Sequence, residues 1–107
     1  MSEGSKYQVV VSSQARDMLF EHAKFLARVS AKAAEELFDH FEENITSLEG
    51  LPERCAYYNN PYIRHGKYRK LALGKYLLIL FQVTDNTVYI ELIIDARAEN
   101  IDRDWMR

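Results

Sequence analysis

The chain has 107 residues, 48% apolar and 28% charged, a balance that predicts one folded domain and excludes a disordered chain or a two-domain protein. A net charge of −2 excludes a protein that coats nucleic acid by bulk attraction, and the single Cys55 excludes an intramolecular disulfide framework or a cysteine-rich zinc site. The longest apolar run, residues 76–81, is far short of the roughly 20 residues that cross a bilayer. With no signal-peptide core after the first residues, a cytoplasmic chain without membrane contact is expected.

Residues 7–11, Tyr-Gln-Val-Val-Val, are rich in β-branched types and predict a first strand. Ser12 and Ser13 supply hydroxyls suited to capping a helix, and the period changes there. Met18, Leu19, His22, Phe25, Leu26 and Val29 recur at helical spacings, which predicts a helix with one broad apolar stripe. Ser30 offers a second cap, after which Leu37, Phe38, Phe41, Ile45 and Leu48 keep the same period. Gly50, Leu51 and Pro52 predict a C-terminal cap and a stop. The expected product is an antiparallel helical hairpin hinged near Ser30, with one bent helix as the alternative.

Residues 52–66 contain Asn59-Asn60-Pro61 and Gly66 and predict a loop or irregular strand. Residues 68–73, 76–83 and 87–94 follow as three strands, joined at Gly74-Lys75 and Asp85-Asn86 by turns that permit only antiparallel neighbours. Residues 100–107 predict one short terminal helix. The fold class expected is α+β, a small antiparallel sheet of about four strands packed on an N-terminal helical hairpin, in the order β-α-α-β-β-β-α. One domain should span residues 1–107.

Strand parity predicts that Val88, Ile90, Leu92 and Ile94 face the helices, with Tyr89, Glu91, Ile93, Asp95 and Arg97 opposite. The middle strand is apolar on both faces, because Leu77, Ile79 and Phe81 alternate with Tyr76, Leu78 and Leu80. Two helices cover only one side of a sheet, so the second face needs another cover. The candidates are the tail, with Ile101, Trp105 and Met106, or another chain seated in a groove there.

Charge is segregated along the sequence. Residues 1–53 hold 5 Lys/Arg against 10 Asp/Glu, and residues 54–107 hold 9 against 6. From Arg54 to Thr84 there are Arg54, Arg64, Lys67, Arg69, Lys70 and Lys75 and no acid, which predicts either a cationic contact surface or a solvated strand edge.

Residues 68–81, Tyr-Arg-Lys-Leu-Ala-Leu-Gly-Lys-Tyr-Leu-Leu-Ile-Leu-Phe, continue through Val83-Thr84-Asp85-Asn86-Thr87-Val88-Tyr89-Ile90 to Ile94-Asp95-Ala96-Arg97. An Arg-led strand, a Gly turn, an apolar strand, an acidic turn, another apolar strand and a terminal Arg resemble the RelE/ParE toxin superfamily. These are the toxin halves of bacterial type II toxin–antitoxin modules. The resemblance implies a growth-inhibiting toxin neutralised by a cognate antitoxin. It also implies either DNA gyrase as the target, in the ParE-like branch, or ribosome-dependent cleavage of messenger RNA, in the RelE-like branch. No metal and no small-molecule cofactor is implied. Tyr76, Leu78, Leu80 and Trp105 become candidate antitoxin contacts.

A metal-independent ribonuclease needs cations on the phosphate and a proton donor and acceptor. Arg69 and Arg97 stand where the family carries basic residues, and His65 lies close in sequence as a candidate acid or base. Arg64, Lys67, Lys70 and Lys75 are candidates for contact with nucleic acid or the target. Leu71 stands where the nuclease branch tends to carry a second basic residue, and Glu91 and Asp95 would repel a phosphate. These departures favour the ParE-like branch, with the ribonuclease as alternative and a non-toxic binding relative third. Strict alternation sends Arg69 to the helix side with Leu71 and Leu73, unless a bulge near residues 66–68 or a place at the sheet margin releases it.

Overall fold

Two serines begin the helical layer of the computed structural model, which describes residues 6–97. Ser12 Oγ accepts the Ala15 amide at 3.0 Å and starts α1 (Ser13–Ala27), and Ser30 Oγ accepts the Ala33 amide at 3.1 Å and starts α2 (Ala31–Gly50). Extended backbone at Ser30 (φ −158°, ψ 119°) breaks the chain between them, so the pair is a hairpin rather than one bent helix. Gly50 is the last helical residue and not a left-handed cap. The stop comes from Leu51 (φ −134°, ψ 73°), which Pro52 holds out of the helical region, and a short 3-10 turn follows at Pro52–Arg54.

The strands are β1 (Gln8–Val11), β2 (Arg69–Leu73), β3 (Leu77–Thr84) and β4 (Thr87–Asp95), in the spatial order β1-β4-β3-β2. The tight turns make β2, β3 and β4 antiparallel as expected, with Gly74 supplying φ +65° between β2 and β3. β1 runs parallel to β4, so the sheet is mixed rather than wholly antiparallel. Short-turn logic does not reach β1, whose chain passes through both helices before the sheet resumes. The α+β class and the β-α-α-β-β-β order stand. The terminal helix expected over residues 100–107 lies outside the described residues, as does Trp105.

The core lies between hairpin and sheet. Ile79, Phe81, Val88, Ile90 and Ile93 are fully buried there against Ala15, Leu19, Leu37 and Leu48. Parity holds along β3 but not along β4. Leu80 pairs with Leu92 and Phe81 with Ile90, which leaves Glu91 as an extra residue in a β-bulge. Beyond it the faces exchange. Ile93, expected opposite the helices, packs beneath them, and Leu92 and Ile94, expected beneath them, turn to the other face. The carbonyl of Glu91 accepts the Ser12 hydroxyl at 3.2 Å, so the same serine caps α1 and holds the bulge.

The apolar stripe of α1 is narrower than its sequence suggests. Its buried line is Ala15, Leu19 and Ala23, four residues apart, while Phe25 is 61% exposed and Val29 83%. Two residues beyond Ala23 is about 200° around the helix, which carries Phe25 to the outer side. Val29 follows the end of the helix, in the hinge.

Candidate functional site

The segment after the 3-10 turn is tied to the free edge of β2. The Lys70 amide donates to Ala56 O at 2.9 Å and the Tyr58 amide donates to Tyr68 O at 2.8 Å, with Tyr57 bridged antiparallel to Arg69. Arg69 secures this pairing. Its Nη1 donates to Cys55 O at 2.7 Å and Glu53 O at 3.2 Å, its Nη2 donates to Tyr57 Oη at 3.1 Å, and its Cζ stands 4.2 Å from the Tyr57 ring centre. Arg69 keeps the parity of Leu71 and Leu73, opposite Phe81, and is only half buried, so its place at the sheet margin resolves the conflict without a bulge. The His65 ring lies 6.3 Å from that of Tyr57, which extends the stack outward. Cys55, buried under the segment, has its thiol pushed up by that burial, which the cations of Arg54 and Arg69 oppose; a neutral thiol is no nucleophile.

Arg97 lies elsewhere. Its Nη2 reaches Asp95 Oδ2 at 2.9 Å and its Nε reaches Asp95 Oδ1 at 3.2 Å, and its Cζ stands 4.0 Å over the Tyr76 ring. The bidentate carboxylate raises the guanidinium further above its ordinary range. Arg97 is thus the structural partner of Asp95, and with Tyr76 it borders a cleft of about 600 Å³ between hairpin and sheet end, lined also by Phe25, Leu37 and Leu77. His22, expected in the core, is half buried at this cleft with Nε2 3.4 Å from Ile93 O.

The face of the sheet away from the helices is partly closed by the chain itself. Tyr58 and Tyr68 bury Leu80, with Ile63, Leu78, Leu92 and Ile94 packed around them. Among the described residues the cover over this part of the face is the 56–67 segment; the tail, the other cover expected from within the chain, lies outside them. Leu80, a candidate antitoxin contact, is 1% exposed and offers no surface. Leu78 remains half buried, and Tyr76 is exposed but belongs to the cleft. At the bulge, Glu91 accepts Tyr68 Oη at 3.1 Å and Gln82 Nε2 at 3.0 Å. Burial first, then the Glu91 carboxylate, pushes the Tyr68 phenol up and keeps it a donor.

Arg64, Lys67, Lys70 and Lys75 are all exposed. Lys67 stands 5.2 Å over the Tyr68 ring, Lys70 lies opposite Leu80 on the face away from the helices, and Lys75 borders the cleft. Arg64, Lys67 and Lys70 pair with no carboxylate among the described residues. Sequence reasoning missed Tyr57 and the bulge network, although two adjacent tyrosines in a loop were the visible signal for the first. No helix is long and apolar enough to cross a membrane, and no His/Cys/Asp/Glu cluster with metal-ligand geometry occurs among the described residues.

Of the three candidate catalytic residues, the fold joins Arg69 and His65 through Tyr57 and sets Arg97 apart. Arg69 is opposite Phe81, whereas Arg97 stacks on Tyr76 before the first residue of β3, and the four steps from Leu77 to Phe81 measure about 13 Å. The two guanidinium groups are thus held by different partners at different positions along β3.

Comparisons with known proteins are consistent with this architecture. A protein of the chromosomal ParDE toxin–antitoxin system from P. aeruginosa superposes with a TM-score of 0.67 at 14% identity, covering 85% of this chain and 97% of that one. A conserved hypothetical protein from Helicobacter pylori gives a TM-score of 0.51 at 10% identity, with 85% and 96% coverage. At such identities the likeness is one of fold. No curated protein matches the sequence. The family model described as the ParE toxin of the type II toxin–antitoxin system parDE matches residues 9–100, most of the chain, and on that match the chain belongs to the ParE toxin family.

Proposed function

We propose that the chain is a cytoplasmic growth inhibitor neutralised by a cognate antitoxin, and that it acts by binding DNA gyrase. The observation that carries the target is the dispersal of the nuclease candidates. Arg69 is engaged by two carbonyls and a tyrosine and Arg97 by Asp95, so each guanidinium already has its partners. Gyrase binding needs only a surface, and the exposed Arg64, Lys67, Lys70 and Lys75 offer one of the right sign for a gyrase–DNA complex.

The antitoxin reading is supported by unsatisfied apolar surface. Half-buried Leu78, Leu92 and Ile94 face away from the helices, and Phe25 and Tyr76 are exposed at the cleft. Induction of the full chain should arrest growth and reduce gyrase-dependent supercoiling while messages stay intact. Co-expression of the small acidic protein expected from the adjoining gene should restore growth. Rapid translation arrest with cut messages would replace gyrase by the ribosome-dependent endonuclease reading. Unimpeded growth would leave only a non-toxic binding relative.

A further inference from the structure

The rim of loop and strand edge around β2 joins exposed rings to uncompensated cations. Tyr57 and Tyr62 are 42% and 51% exposed, His65 lies against Tyr57, and Arg64, Lys67 and Lys70 are exposed without a carboxylate partner among the described residues. Every residue from Arg54 to Thr84 is basic or neutral, so no acid within the segment opposes the local field although the whole chain is net negative.

The segment is also pre-organised. Arg69 fixes its first part through Cys55 O and Tyr57 Oη, and backbone turns at Ile63 N to Asn60 O (3.0 Å) and Lys67 N to Arg64 O (3.1 Å) fold the rest. The Tyr62 amide is held by Asn60 Oδ1 at 2.8 Å, which sets the backbone of an exposed ring. Holding rings and cations in place before contact lowers the ordering cost of binding.

We infer that this rim binds single-stranded nucleic acid directly, with Tyr62 as the stacking platform and Arg64 and Lys67 on the phosphates. Exposed rings distinguish it from a site for an acidic protein, which would need the cations alone. Rings stack on the faces of bases, and a duplex hides those faces while a single strand presents them. The binding goes beyond the gyrase assignment and does not depend on it.

The test measures fluorescence anisotropy of the purified full chain with a labelled mixed-sequence single strand of about twelve nucleotides. A duplex of the same length and polyglutamate compete in parallel. The single strand should bind at low salt and compete better than either. Tyr62→Ala should weaken it about fivefold or more, the loss of one base stack. Arg64→Gln with Lys67→Gln should lower the slope of log K against log salt by about 1.4. Lys24→Gln, the loss of one positive charge on α1 away from the rim, should leave the binding unchanged. Thermal melts confirm that each variant is folded. Absence of binding at low salt overturns the inference, as does equal affinity for the duplex with Tyr62→Ala silent. Tighter binding of polyglutamate would give the rim to an acidic protein instead. Growth and supercoiling do not enter these readouts, so failure here and failure of the toxin reading are separable.

Discussion

On the helix side of the sheet, Ile79, Phe81, Val88, Ile90 and Ile93 are buried beneath two helices, whereas on the other side Leu80 lies under two tyrosines beside a carboxylate. The first layer is held by hydrocarbon burial, which responds little to pH or salt. The second depends on a segment fastened along one strand edge by two backbone hydrogen bonds and one guanidinium. A small protein can thus keep one face for stability and leave the other to vary with its partners, and the fastened face should open locally first.

Substitutions on the two sides should have different signatures. Phe81→Ala, in the dry layer, should cost about 3–5 kcal/mol and lower the denaturant midpoint of the whole domain. Arg69→Ala should cost about 2 kcal/mol, and its signature is local. Hydrogen exchange should quicken at the Tyr58 and Lys70 amides while amides of β4 keep their protection. Arg69→Lys should not restore it, because one ammonium cannot reproduce the planar fork across two carbonyls and a phenol.

Tyr68→Phe removes one hydrogen bond to Glu91 and should cost about 1 kcal/mol near neutral pH. It also sharpens the contrast by pH. The Tyr68 phenol is pushed above its ordinary value, so the unfolded chain gives up that proton first. The contribution is full below about pH 10 and is lost as pH rises through the folded value. Denaturant midpoints of parent and Tyr68→Phe should therefore converge in alkali; a gap that stays constant would contradict the assignment. The smallest effect belongs to Val29→Ser in the hinge, within about 0.5 kcal/mol, despite its place in an apolar periodicity.

The helices were legible because their signals are local. Ser12 and Ser30 cap where their hydroxyls precede a change of period, and Pro52 stops α2 through the residue before it. β3 was legible because residues 77–81 are apolar without a break. The phase of β4 was not, since Leu92-Ile93-Ile94 suits either face and conceals the extra residue at Glu91. The exposure of Phe25 follows from its angle to Ala23, and the sequence did not mark Ala15, Leu19 and Ala23 as the buried line among so many apolar positions. At the candidate site, the cation cluster was visible by composition, but the partners of Arg69 are carbonyls, and backbone groups carry no mark in a sequence.

The extra residue in β4 makes its register more vulnerable to a change of length than to a change of side chain. Excising Glu91 would rotate every later side chain by half a turn, expelling Ile93 into water and driving Leu92 and Ile94 toward the hairpin. Replacing it by another residue preserves that phase. Related chains should thus conserve the count of residues between Phe81 and Ile93 more strictly than the identity of the residue at this position.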